Sequence, residues 1–228
     1  MDSSIRQQGP SRTGADRGHG INLGGGTHPI KPRRYPSAPM NVLQTSLSGL
    51  VVIEPAVHGD ERGFFIETYR RGWHAEAGIP ADQSFVQDNH SRSTRGVVRG
   101  LHFQIGDGVA KLVRCARGSI LDVAVDLRRG SPTYGRWEGV RLDDENMREL
   151  YVPVGFAHGF CALSEVADVL YKQSAYYDPA VERGIAWNDP DIAIEWSLPA
   201  AELTVSERDA VAPRLSEIAA ELPFEWHP

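Results

Sequence analysis

The string Arg99-Gly100-Leu101-His102-Phe103-Gln104 sets a histidine inside a strand-like run, between an arginine and an aromatic ring. An imidazole titrates near neutral pH, so in a water-poor pocket it can take a proton from carbon. A second histidine follows the Pro/Gly turn of Pro153-Val154-Gly155-Phe156-Ala157-His158-Gly159-Phe160. Polar groups recur at other strand positions where a structural core would hold aliphatics: Arg62, Glu67, Gln87, Asn89, Lys111 and Tyr171. If the strands curl into a small barrel, inward positions on different strands converge on one cavity, and these groups line it.

Other chemistries are poorly served. Barrels that hold iron or zinc use a His-x-His pair, a Glu and a later His. Here His102-Phe103-Gln104 lacks the second histidine, and His102 with His158 falls short of three or four ligands. No Gly-x-Ser-x-Gly elbow activates a serine, and no Gly-rich loop leads from a strand into a helix to cradle phosphates. Acid–base chemistry without a metal or cofactor remains, served by a histidine, a tyrosine, a lysine and arginines.

The elements that must position these groups are short and β-rich. Leu50-Val51-Val52-Ile53, Phe64-Phe65-Ile66-Glu67-Thr68-Tyr69 and Phe85-Val86-Gln87 read as strands punctuated by Gly, Pro and Asp. In residues 119–127, Leu121, Val123, Val125 and Leu127 share one face and Asp122 and Asp126 the other, which predicts a half-buried strand. Further strands are expected over 137–142, 150–153 and 166–174, and helices only over 70–77 and 206–222. Many short antiparallel strands with minor helices predict an all-β sandwich or jelly roll. Residues 1–41, rich in Gly, Ser, Pro and Arg, read as a disordered tail before one domain over 42–228 with a C-terminal helical segment.

The 228 residues carry a net charge of -6, which argues against a bulk nucleic-acid binder while leaving arginines free to hold a small anion. No apolar stretch of membrane-spanning length and no apolar leader is present, so a cytoplasmic protein is expected. Cys115 and Cys161 sit in apolar runs and read as buried thiols, not as a disulfide.

Several strings in order carry a family resemblance: Asp60-Glu61-Arg62-Gly63-Phe64-Phe65-Ile66-Glu67, Val86-Gln87-Asp88-Asn89-His90-Ser91, Arg99 to Gln104, Gly130-Ser131-Pro132-Thr133-Tyr134-Gly135-Arg136-Trp137 and Pro153 to Phe160. Tyr176-Tyr177-Asp178-Pro179 and Trp187-Asn188-Asp189-Pro190 continue it. From about 47 to about 213 the chain resembles the dTDP-4-dehydrorhamnose 3,5-epimerases, metal-free relatives of the cupins. The resemblance implies a cupin-like jelly-roll barrel with a few short peripheral helices, a homodimer built on exchanged edge strands, and a dTDP-4-keto-6-deoxy sugar as substrate. It implies that His102 is the general base, Tyr171 the general acid, Asp209 the carboxylate that orients the histidine, and Lys111 the cation beside the keto oxygen. Arg62, Glu67, Gln87, Asn89, Arg99, His158 and Glu182 match positions that hold the nucleotide diphosphate and sugar, and Phe160 and Tyr177 match aromatic contacts. Arg208 stands where a lysine is frequent, at a phosphate contact. The loop Ile105-Gly106-Asp107-Gly108-Val109 is shorter than usual, and the tail has no counterpart.

The activity so implied is epimerisation at C3 and C5 of dTDP-4-dehydro-6-deoxy-D-glucose. Its alternatives are an enzyme inverting one of those carbons in a specialised deoxysugar pathway, a non-catalytic sugar-nucleotide binder on the same barrel, and a metal-dependent cupin oxygenase, which requires a bound transition metal.

Overall fold

The computed structural model describes residues 40–71, 77–80 and 83–227. The expected tail lies outside the described residues except at Met40 and Asn41, which open strand β1 (Met40–Gln44). Of the expected helix over 70–77, residues 72–76 lie outside the described residues.

Twelve more strands follow: β2 (Val51–Pro55), β3 (Val57–Asp60), β4 (Gly63–Ile66), β5 (Gln87–Thr94), β6 (Val98–Gln104), β7 (Lys111–Arg117), β8 (Ser119–Asp126), β9 (Trp137–Asp143), β10 (Glu149–Val152), β11 (Phe156–Ala162), β12 (Val166–Gln173) and β13 (Glu182–Gly184). They form a six-stranded sheet in the order β1-β2-β10-β7-β12-β5, a five-stranded sheet in the order β13-β6-β11-β8-β9, and the hairpin β3-β4. Every named strand pairing is antiparallel, as a jelly roll requires.

Three apolar clusters hold the layers together. Leu47, Val113, Ile120, Ala124, Leu150, Phe156, Phe160 and Val169 belong to the cluster shared by the two sheets. Behind the five-stranded sheet, Leu101, Phe103, Val123, Val125 and Ala157 pack against Ile192, Trp196, Leu215, Leu222 and Phe224 of the C-terminal segment. Behind the six-stranded sheet, Val51, Ile53, Leu112 and Tyr151 meet Ala77 and Ile79.

That second layer corrects the reading of β8 as half-buried. Its aliphatic face is covered by the C-terminal segment, and Asp122 and Asp126 face inward with no exposed surface at all. A buried carboxylate is tolerated when hydrogen bonds replace its water. Asp126 accepts from Arg128, Ser131 and Thr133, so the loop after β8 folds back onto it. Asp122 is held by His158.

The expected helix over 206–222 is instead two four-residue helices, α1 (Glu207–Ala210) and α2 (Leu215–Ile218), with a 3-10 turn at Ala219–Glu221. Pro213 explains the break, because it lacks an N–H and biases the residue before it away from helix. Ser206 caps α1, its Oγ accepting from the Asp209 N–H at 3.1 Å, which fixes where Asp209 points.

Candidate active site

A cavity of about 440 Å3 opens between the sheets, lined from both of them and from the segment that ends in α1. It brings together Arg99, His102, Lys111, His158, Tyr171, Arg208 and Asp209 from positions scattered over the chain, with Phe160 at its wall.

Local backbone geometry explains how β6 serves this cavity. Residues three apart on a strand ordinarily face opposite ways. The β6–β11 register pairs His102 with His158 but Arg99 with Phe160, so three steps on β6 oppose two on β11. The extra residue turns both Arg99 and His102 to the cavity. Gly100 and Gly159 allow the close approach there: a Cβ on Gly100 would lie 2.5 Å from the Gly159 Cα, and one on Gly159 2.6 Å from the Arg99 carbonyl oxygen.

His102 Nε2 lies 2.6 Å from Asp209 Oδ1. Burial pushes the Asp209 carboxyl up, but the bonds from His102, the Gly100 N–H and Ser206 outweigh it and hold the group below its ordinary range. An ionised carboxylate only accepts, so Nε2 carries the proton and the lone pair sits on Nδ1. No described residue hydrogen-bonds to that Nδ1. The arrangement is an imidazole fixed in one tautomer with its basic nitrogen free.

His158 is a second histidine on a second aspartate. Its Nε2 lies 2.8 Å from Asp122 Oδ1, and burial pulls its pKa down against the attraction of Asp122. Asp122 Oδ2 has no partner among the described residues. Sequence reasoning placed Asp122 on a polar face and missed this contact.

Lys111, at the start of β7, is buried without a hydrogen bond or ion pair among the described residues. Burial lowers its pKa to about 8, opposed by the charges of Glu182 and Asp122. It is therefore still a cation at neutral pH and loses that charge as pH rises through about 8. The Tyr171 phenol moves the other way: burial and then Glu182 raise it, while Arg99 opposes, so it holds its proton at neutral pH.

The remaining predicted residues spread outward from this centre. Asn89 on β5 pairs with Tyr171 across the strands, and Gln87 Nε2 donates to Asn89 Oδ1 at 2.9 Å. Glu182 on β13 forms an ion pair with Arg208, whose guanidinium also hydrogen-bonds the Tyr177 side chain. Arg99 donates to Ser93 Oγ at 2.9 Å and to the Arg92 carbonyl at 3.2 Å. Gln87, Asn89 and Glu182 do not themselves line that cavity, and two further predicted residues lie away from it in the single chain. Arg62 has a side chain 83 % exposed and paired with Asp60, and Glu67 pairs with Arg70. Arg62 lies at the turn of the β3-β4 hairpin, whose Phe64 and Phe65 rings are also exposed.

Among the described residues, no group of three His, Cys, Asp or Glu side chains is placed to share a metal ion, and no helix is long and apolar enough to cross a membrane.

Residues 44–217 match the family model described as dTDP-4-dehydrorhamnose 3,5-epimerase. The enzyme of that name from Pseudomonas aeruginosa is 52% identical over 171 residues, covering 75% of this chain and 93% of its own. That from Methanothermobacter thermautotrophicus is 53% identical over 173 residues, covering 75% and 92%. Among solved structures, a dTDP-6-deoxy-D-glucose-3,5-epimerase from Legionella pneumophila in complex with dTDP-4-keto-L-rhamnose superposes with a TM-score of 0.79 at 46% identity, covering 83% of this chain and all of that one. The antiparallel jelly roll, the cavity between its sheets and these matches lead to one conclusion: the chain belongs to the dTDP-4-dehydrorhamnose 3,5-epimerase family.

Proposed function

We propose that this protein epimerises C3 and C5 of dTDP-4-dehydro-6-deoxy-D-glucose to give dTDP-4-dehydro-L-rhamnose, without a cofactor. The observation that carries the reading is the His102–Asp209 pair facing the same cavity as Lys111 and Tyr171.

In a 4-keto sugar the hydrogens on C3 and C5 flank the carbonyl, so removing either gives a carbanion that delocalises onto oxygen as an enolate. His102 Nδ1 takes the proton, and the Asp209 carboxylate stabilises the imidazolium that forms. Lys111 stabilises the enolate oxygen. An ammonium preorganised in a desolvated cavity is worth on the order of 3 kcal/mol at such a position, by comparison with single oxyanion-hole deletions. Inversion needs a proton delivered from the other face, because returning it from His102 restores the starting isomer. Tyr171 serves there, as a weak acid that is protonated at neutral pH yet acidic enough to protonate an enolate carbon.

The cations at the mouth suit the diphosphate. Arg99 and Arg208 present planar forks that stay charged and match phosphate oxygens. Gln87, Asn89, His158 and Glu182 supply neutral and acidic contacts to sugar and nucleotide. Binding energy from the non-reacting nucleotide then holds the ring against the base. The protein works as a cytoplasmic homodimer, and the exposed Phe64 and Phe65 rings support that reading, since paired exposed aromatics mark contact surfaces. Arg62 and Glu67 then act on the nucleotide across the dimer.

The test is incubation with dTDP-4-dehydro-6-deoxy-D-glucose in heavy water, followed by product NMR. Deuterium at both C3 and C5 with L-rhamno stereochemistry is expected. Deuterium and inversion at one carbon alone would replace this reading with the single-carbon one, and dTDP binding without any exchange would replace it with the binding-protein one.

A further inference from the structure

We infer that Gln104 is a positioning residue that ties nucleotide recognition to the strand carrying His102. The inference rests on the reading of the cavity as a nucleotide-sugar site. Gln104 ends β6, two residues beyond His102, at the position where a metal-binding barrel would carry its second histidine. It is buried, and its amide spends both functions on one loop. Nε2 donates to the Tyr176 carbonyl at 3.3 Å, and Oε1 accepts from the Asp178 N–H at 3.0 Å. Between those two bonds, the Tyr177 N–H donates to Gln87 Oε1 at 2.8 Å. Three successive residues of the loop after β12 are therefore held by two glutamines, one from each sheet.

What this loop presents is unusual for a surface. Tyr176 and Tyr177 are 72% and 48% exposed, although the backbone beneath them is anchored at every residue. Large aromatic faces carried on a fixed backbone suit a flat partner such as a nucleobase. Tyr177 also reaches Arg208, which adjoins Asp209 in the sequence and lines the same cavity. One buried amide on the strand that carries His102 thus holds the aromatic platform on which the nucleotide would sit. A glutamine fits because the loop offers a carbonyl and an N–H together. A side chain with neither function leaves both backbone groups without partners.

A residue that merely stabilises the fold would lower the melting temperature without distinguishing ligand binding from turnover. The positioning role predicts a split. With Gln104→Met, which keeps the volume and removes both bonds, KM for the nucleotide sugar and the dissociation constant for dTDP, measured by calorimetry, rise together by about tenfold. kcat stays within about twofold and the pH–rate profile does not move, because the interactions lost are made equally in ground and transition states. Gln104→Glu keeps the acceptor and loses the donor, so it falls between parent and Gln104→Met, and it serves alone if Gln104→Met fails to fold. In a Tyr176→Ala/Tyr177→Ala background the same Gln104 substitution changes KM by less than about twofold, since both rings of the platform it positions are gone. Unchanged KM and dTDP affinity in either folded Gln104 variant would overturn the inference, as would a full-sized effect in the Tyr176→Ala/Tyr177→Ala background. Failure of the parent protein to exchange substrate hydrogens while binding dTDP would remove the catalytic reading and leave this one standing.

Discussion

His102 and His158 are partners across β6 and β11, and each gives its Nε2–H to an aspartate, yet their surroundings differ at every step. Asp122 comes from β8, the strand beside His158, and is fully enclosed by the sheet. Asp209 comes from α1, near the end of the chain, and is aimed by the Ser206 cap. The His102 ring keeps 26% of its surface open to the cavity, whereas His158 keeps 7%. Burial alone disfavours a charged imidazole, and at His158 it outweighs the nearby carboxylate. The lesson is that a His–Asp pair is not a function. The half-open pair presents its imidazole to the cavity, while at the enclosed pair burial disfavours the charged His158 imidazole and leaves a fixed polar contact.

Breaking each aspartate separately tests that contrast. Asp209→Asn should lower kcat by about 10² to 10⁴, because the amide no longer enforces the tautomer or stabilises the imidazolium. Asp122→Asn should cost only about tenfold, mostly in KM, since it loosens a binding contact worth roughly one charged hydrogen bond. Steady-state kinetics on the two variants reads the difference, and equal losses in kcat would abolish the distinction.

A smaller effect comes from Glu149, a buried carboxyl that has no histidine. Neither of its oxygens has a partner among the described residues, and burial pushes its pKa to about 8, against the pull of Arg114 and Lys172. A folded-state pKa above the unfolded one means that stability is fully present below about 4.5 and is lost as pH rises through about 8. Glu149→Gln removes the titration, so thermal melts should show its advantage over the parent growing from pH 5 to pH 9. A pH-independent difference would mean that Glu149 does not titrate as its burial implies.

Much of this contrast was visible in the residues themselves, though not all of it. Period two marks β8 as a strand, and the missing second histidine after His102 argues for proton transfer over metal binding. Alternation along β8 shows that its two faces differ, not which of them is covered or whether both are. Here the C-terminal segment shields the aliphatic side. Asp122 was overlooked for the same reason, and an aspartate inside an otherwise apolar strand, with no turn to occupy, was the signal that pointed to it. Asp209 and Glu182 lie far along the chain from His102 and Lys111, so only the family resemblance singled them out. The break at Pro213 was legible and outweighed the apolar pattern that suggested a longer helix.

The most direct measurement is deuterium uptake from heavy water into the substrate, followed by NMR, in His102→Ala beside His158→Ala. The account predicts no uptake at C3 or C5 in His102→Ala, a loss of at least about 10²-fold, with slowed but measurable uptake at both carbons in His158→Ala. Undiminished uptake in His102→Ala would contradict it.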